Sequence, residues 1–184
     1  MNVENIKYAD DETFSVKRIV QMRIPSLALG LALGIILSFV TSRFEEVLSQ
    51  DIRIAFFIPF IVYMADAIGT QTQNIYIRDL KTGKASFKTY LIKETLVGVI
   101  FGVASSLLTA VITALWLASA KITLTVSLAM FVAVATAPLV ALMIAEILQL
   151  EHLDPAVGAG PLATVIQDML SVLIFGIIAS SIIL

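Results

Sequence analysis

Residues 156–184 read AVGAGPLATVIQDMLSVLIFGIIASSIIL, an apolar run interrupted by one ionisable side chain, Asp168, close to its midpoint. A bilayer core about 30 Å thick is crossed by about 20 mainly apolar residues in helical conformation, so this run is long enough to span a membrane. Working back along the chain, four further stretches qualify: 24–41, 54–77, 95–120 and 122–145. The first, third and fourth spans hold no charged residue, whereas the second holds Asp66 and the fifth Asp168. The chain therefore reads as an all-α integral membrane protein of five transmembrane helices. Residues 23–184 form the transmembrane domain, and residues 1–22 a cytoplasmic tail or a short interfacial helix.

Composition supports this. Of 184 residues, 59% are hydrophobic and 14% charged, with a mean hydropathy of +0.97, more apolar surface than one water-soluble core of this size would use. There is no cysteine and one histidine, His152, which excludes disulfides and thiolate metal or redox sites. Any ion bound here meets oxygen ligands. A net charge of −2 argues for neither nucleic acid nor a strongly anionic partner. The acidic N-terminus, with Asp10, Asp11 and Glu12, lacks the basic head and apolar run of a signal peptide, so the first span is expected to remain.

Orientation follows from lysine and arginine, which are retained on the cytoplasmic side. With the N-terminus inside, Lys7, Lys17, Arg18, Arg23, Arg78, Lys81, Lys84, Lys88 and Lys93 are cytoplasmic, nine of the twelve basic residues. Only Arg43, Arg53 and Lys121 lie outside. The expectation is a plasma-membrane protein, N-in and C-out.

Helical positions i, i+3, i+4 and i+7 share a face. On the second span that set is Asp66, Gly69, Thr70 and Gln73; on the fifth it is Thr164, Gln167, Asp168 and Ser171, downstream of Gly160 and Pro161. A carboxylate at membrane depth costs roughly 2.5–3.5 kcal/mol on insertion scales, so it faces protein or a water-filled path. Two such helices suit a hard divalent ion. Magnesium keeps most of its water and is held by one or two carboxylates, which makes Asp168 and Asp66 the candidate metal residues. The other reading is that each aspartate is a buried structural group bonded to a neighbouring helix.

Lys93 and Glu94 stand where the third span starts, as a cytoplasmic entrance or as a charge pair reaching back to water; Glu146 is read the same way. Gly30 with Gly34, and Gly98 with Gly102, form GxxxG packing motifs. Pro59, Pro138 and Pro161 are expected to kink or unwind their helices.

The stretch from Phe57 through Pro59 to Gly69-Thr70-Gln71-Thr72, then Lys93-Glu94 and Asp154-Pro155-Ala156, resembles the membrane domain of the MgtE family of magnesium channels. The resemblance runs from Arg23-Ile24-Pro25 to the C-terminus. It is most specific at Gly160-Pro161-Leu162-Ala163-Thr164 leading to Asp168, which is similar to that family's last helix, where an aspartate four residues after the threonine binds magnesium in the pore. The resemblance implies that role for Asp168, and it implies a homodimer with its pore between protomers, lined chiefly by the second and fifth spans. It also implies magnesium as the ion, with manganese or cobalt as other hard divalents. Two departures stand out. At most 22 residues occupy the place of the family's cytosolic N-domain and paired CBS domains, so gating by that device is not expected. The family's glycine-rich lead into GxQ is here Met64-Ala65-Asp66-Ala67-Ile68, which adds a carboxylate.

The functional expectation is a homodimeric divalent cation channel or channel-like transporter. Asp168 would orient the hydrated ion and Asp66 would add a second carboxylate, with Thr164, Gln167, Ser171, Gly69, Thr70, Gln73 and Pro161 lining the path. The alternatives are an ion-coupled exchanger driven by protons or sodium, and a non-transporting membrane subunit whose acids specify packing. No nucleophile–base pair suggests an enzyme.

Overall fold

The structure is a computed structural model that describes residues 12–151 and 155–184, with side chains from Gly160 onward in the last segment. The acidic head through Asp11 and the loop residues His152, Leu153 and Asp154 lie outside the described residues. Every regular element described is helical: α1 (Val16–Ser42), α2 (Glu45–Gln50), a 3₁₀ segment (Ile52–Phe57), α3 (Ile58–Lys81), α4 (Phe87–Leu117), α5 (Ala120–Leu150) and α6 (Pro155–Ile183). Five of these are long and apolar enough to cross a membrane: α1, α3 with its 3₁₀ lead, α4, α5 and α6. They are the five spans read from the sequence, in the same order, and the chain is a multi-pass membrane protein.

α5 is the spine. Its small side chains Ala129, Ala133, Ala137 and Ala141 are fully or almost fully buried, and it packs on α3, α4 and α6. Lipid tails are as apolar as leucine, so helix association in a membrane depends on close packing between small residues. Gly98 and Gly102 of α4 lie flat against α5: a Cβ at Gly98 would stand 2.6 Å from the Ala135 carbonyl oxygen, and one at Gly102 3.0 Å from that of Phe131. A tight turn joins the two helices, with Ala118 in the left-handed region at φ 49°. By contrast, α1 buries no residue and touches chiefly α6, leaving Leu27, Leu31, Ile35 and Phe39 exposed for lipid.

Several local expectations are corrected. Pro59 falls in the first turn of α3, where its missing N–H costs nothing, so it starts the helix rather than kinking it. Residues 54–57 belong to the 3₁₀ segment, capped by the Asp51 side chain accepting from the Arg53 N–H. The Arg53 guanidinium also bonds Asp51 at 2.6 Å and holds its carboxyl below the usual carboxylate range. Pro138 and Pro161 lie inside α5 and α6, and both helices continue through them without unwinding. Residues 16–22, expected as part of a tail or a short interfacial helix, are helical and continuous with the first span in α1. Of the first GxxxG pair, only Gly30 approaches another helix, while Gly34 faces open space. The short α2 was not legible in advance. It sets Phe44, at its start, against Gly176 of α6, a contact that leaves no room for a Cβ.

Candidate ion-binding site

α3 and α6 pack against each other and both pack against α5, and this three-helix junction brings the two polar faces together. Asp66, Gly69 and Thr70 of α3, Ala137 and Ala141 of α5, and Ala163 and Gln167 of α6 line one small cavity of about 10 Å³, room for about one water. α3 reaches α5 closely here because Gly69 has no side chain: a Cβ on it would lie 3.3 Å from the Ala137 carbonyl oxygen.

Asp66 and Asp168 are both partly buried and lie on two helices that pack against each other. Neither carboxylate has a hydrogen bond or ion pair with a described residue. The alternative in which each aspartate is bonded to a neighbouring helix thus finds no partner among the described residues. Beside them, Gln167 is 3% exposed and Ser171 fully buried. The Gln167 amide nitrogen donates to the Ser171 hydroxyl at 3.2 Å, and its Oε1 is buried without a partner among the described residues. Gln73 is buried near Gly160, and Pro161 meets α1 at Gly30. Thr164 is partly buried, and Thr70, which borders the cavity, is exposed, as are Gln71 and Asn74. Of the residues singled out in the sequence, the cavity joins Asp66, Gly69, Thr70 and Gln167. Ser171 is bonded to Gln167, while Gln73, Thr164, Pro161 and Asp168 are not among the residues that line it.

Lys93 and Glu94 do not act as a pair. Lys93 is exposed, whereas Glu94 turns toward α3 and accepts a hydrogen bond from the Thr72 hydroxyl at 2.6 Å. Glu146 likewise accepts from the Tyr76 hydroxyl at 2.5 Å, and Asp79 from Tyr90 at 2.5 Å. These cross-helix bonds were missed because a face count on one helix carries no information about its neighbour. Ala137 and Ala141 were missed too, although the i, i+4 spacing of alanines on α5 is a legible packing signal.

Among the described residues, no three histidine, cysteine or acidic side chains converge as a dehydrated metal cage would need. Two carboxylates flanked by amides and hydroxyls instead match a hard cation that keeps part of its water.

A family model described as a divalent cation transporter, MgtE, matches residues 58–178, a range that holds both aspartates and the cavity. The chain is 32% identical over 176 residues to the magnesium transporter MgtE of Bacillus subtilis, covering 93% of this chain and 39% of that protein. It is 31% identical to the magnesium transporter MgtE of Enterococcus faecalis, covering 86% of this chain and 36% of that protein. With its counterpart from Thermus thermophilus the identity is 26%, over 83% of this chain and 34% of that protein. The chain spans less than two-fifths of the length of these relatives. The matched region takes in α3 to α6 almost whole, and the chain belongs to the MgtE family.

Proposed function

We propose that this chain forms the ion-conducting part of a divalent cation channel or channel-like transporter, with magnesium as its cargo and manganese or cobalt as other hard divalents it admits. The observation that carries this reading is that Asp66 and Asp168 stand near mid-span on two helices that pack together, each without a hydrogen-bonded or ionic partner among the described residues. An intramembrane carboxylate left in that state is stabilised by a cation or by water.

Two copies of the chain complete the path. Thr70, Gln71 and Asn74 are exposed on α3, and polar side chains within a span are unfavourable against lipid. A second copy meeting α3 and α6 across a two-fold axis covers them and surrounds one axis with two copies of Asp168. Asp168 holds the hydrated ion at the narrow point, Asp66 adds a negative charge beside it, and Thr164, Gln167 and Ser171 support the Asp168 face. Lys93 and Glu94 stand toward the cytoplasmic mouth, in a plasma membrane with the N-terminus inside and the C-terminus outside. The membrane potential drives entry with about 2.3 kcal/mol per elementary charge per 100 mV, twice that for a divalent ion. No covalent chemistry is involved.

Purified chain in liposomes carrying an internal magnesium indicator tests this. Influx that grows with an imposed negative-inside potential supports the reading, and liposomes that stay impermeable to magnesium contradict it. Flux that follows proton or sodium gradients instead would move the assignment to an exchanger.

A further inference from the structure

Between Arg78 and Lys93 the chain turns from α3 into α4 with five basic residues and one acid, Asp79. That acid is already engaged: its carboxylate accepts from the Arg78 guanidinium at 2.9 Å and from the Tyr90 hydroxyl at 2.5 Å. Lys84, in the connection, and Lys88, in the first turn of α4, are exposed, and neither has an ion pair with a described residue. The first turn of α4 holds no acid, so Lys88 adds to the positive end of the helix dipole instead of offsetting it. Along the helix from Lys88 the surface is apolar. At about 100° per residue, Ile92, Leu96, Val99 and Val103 fall within an arc of about 80° that begins at Lys88, and all four are exposed. Because α4 is long and apolar enough to span the membrane, this stripe runs at the depth of the acyl chains.

We propose that the α3–α4 connection and this stripe form a docking surface for an anionic phospholipid of the surrounding membrane, with Lys84 and Lys88 meeting its phosphate headgroup and Ile92, Leu96, Val99 and Val103 its acyl chain. Charge sets the headgroup. Each lysine beside a membrane strengthens its attraction to anionic headgroups roughly fivefold, whereas a zwitterionic headgroup brings its own cation. Position sets the rest of the molecule: a free anion or a water-soluble protein reaches the lysines but not a stripe at bilayer depth. A second copy of the chain, meeting this surface across a two-fold axis, would bring the same positive charge against it. The surface shares no residue with the candidate ion site. A lipid held there bridges the connection and α4, steadying a hairpin whose two helices touch little.

The test reads binding without transport, so its failure and that of the transport reading are separable. Purified protein in neutral-detergent micelles with a fixed total of added phospholipid is unfolded thermally while phosphatidylglycerol replaces phosphatidylcholine. The expected result is a saturable rise in Tm with phosphatidylglycerol that shrinks at high salt. Inorganic phosphate and glycerol phosphate, which lack acyl chains, do not reproduce it. The double variant Lys84→Gln with Lys88→Gln, altered only at exposed positions, needs about tenfold or more phosphatidylglycerol for the same rise, and Lys84→Arg with Lys88→Arg responds like wild type. Lys121→Gln removes an exposed lysine in the first turn of α5, beyond the far end of α4, and leaves the response unchanged. Equal Tm values in the two lipids, a wild-type response from the double glutamine variant, or an equal loss from Lys121→Gln overturns the proposal. A rise with phosphate or glycerol phosphate as large as that with phosphatidylglycerol also overturns it, because the lysines then hold a free anion and no lipid.

Discussion

The Thr72 hydroxyl donates to the Glu94 carboxylate at 2.6 Å, bridging α3 and α4, two helices that otherwise touch little because α5 carries most of the contacts of both. Thr72 is 2% exposed, so the bond is sheltered at its donor end. Hydrogen bonds to charged groups are worth about 1.5–3 kcal/mol, and Thr72→Val is expected to lower unfolding stability by about that amount. Glu94→Gln keeps an acceptor oxygen and costs less. A double-mutant cycle read by thermal unfolding checks this, and additive effects of the two substitutions would show that the bond contributes nothing.

Tyr76 plays a similar part between α3 and α5. It is 1% exposed, its ring lies edge-on to Tyr90 at 4.9 Å, and its hydroxyl meets Glu146. Tyr76→Phe keeps the ring and removes the donor, leaving Glu146 without it at a cost of about 1–3 kcal/mol. Tyr90→Phe costs less, because Asp79 keeps its bond from Arg78 at 2.9 Å in a more exposed setting. The measured order of the two variants decides the point; equal losses would contradict it.

The glycines separate cleanly. Gly98→Ala drives a Cβ into the Ala135 carbonyl and is expected to destabilise by about 1–3 kcal/mol, as overpacking does. Gly34→Ala, with nothing within 4 Å of its Cβ, leaves stability within about 0.5 kcal/mol. Thermal unfolding of both variants side by side tests the α4–α5 packing, and a neutral Gly98→Ala would place α4 elsewhere.

The spans were legible because hydropathy over some twenty residues reports directly on burial in lipid. The polar faces of α3 and α6 were legible too, since Asp66, Gly69 and Thr70 on one helix, and Thr164, Gln167 and Asp168 on the other, fall at helical spacing. What the sequence did not disclose depends on a second helix. Glu94 reads as a partner for Lys93 until α3 offers Thr72. Ala137 reads as generic apolar filling until Gly69 packs on it. Helix ends were also misplaced: α4 begins at Phe87, eight residues before the span read at 95, because a helix continues into the interface where hydropathy has already fallen. Pro59 misled in the opposite direction, since the first turn of a helix accepts proline that its interior resists.

Orientation can be read without interference, since the chain has no native cysteine. Lys84, in the α3–α4 connection, and Lys121, in the first turn of α5, are both exposed. A membrane-impermeant maleimide applied to intact cells is expected to label a Lys121→Cys variant, and to label Lys84→Cys only after permeabilisation. The reverse pattern would invert the topology.

The central claim rests on Asp168. Asp168→Asn is nearly isosteric and removes only the charge, so helix content and assembly should be unchanged while potential-driven magnesium influx into liposomes falls about tenfold or more, the loss of at least 1.4 kcal/mol of ion stabilisation. Asp168→Glu, which restores a carboxylate, should recover part of the flux. Wild-type influx through a folded Asp168→Asn protein would contradict the account.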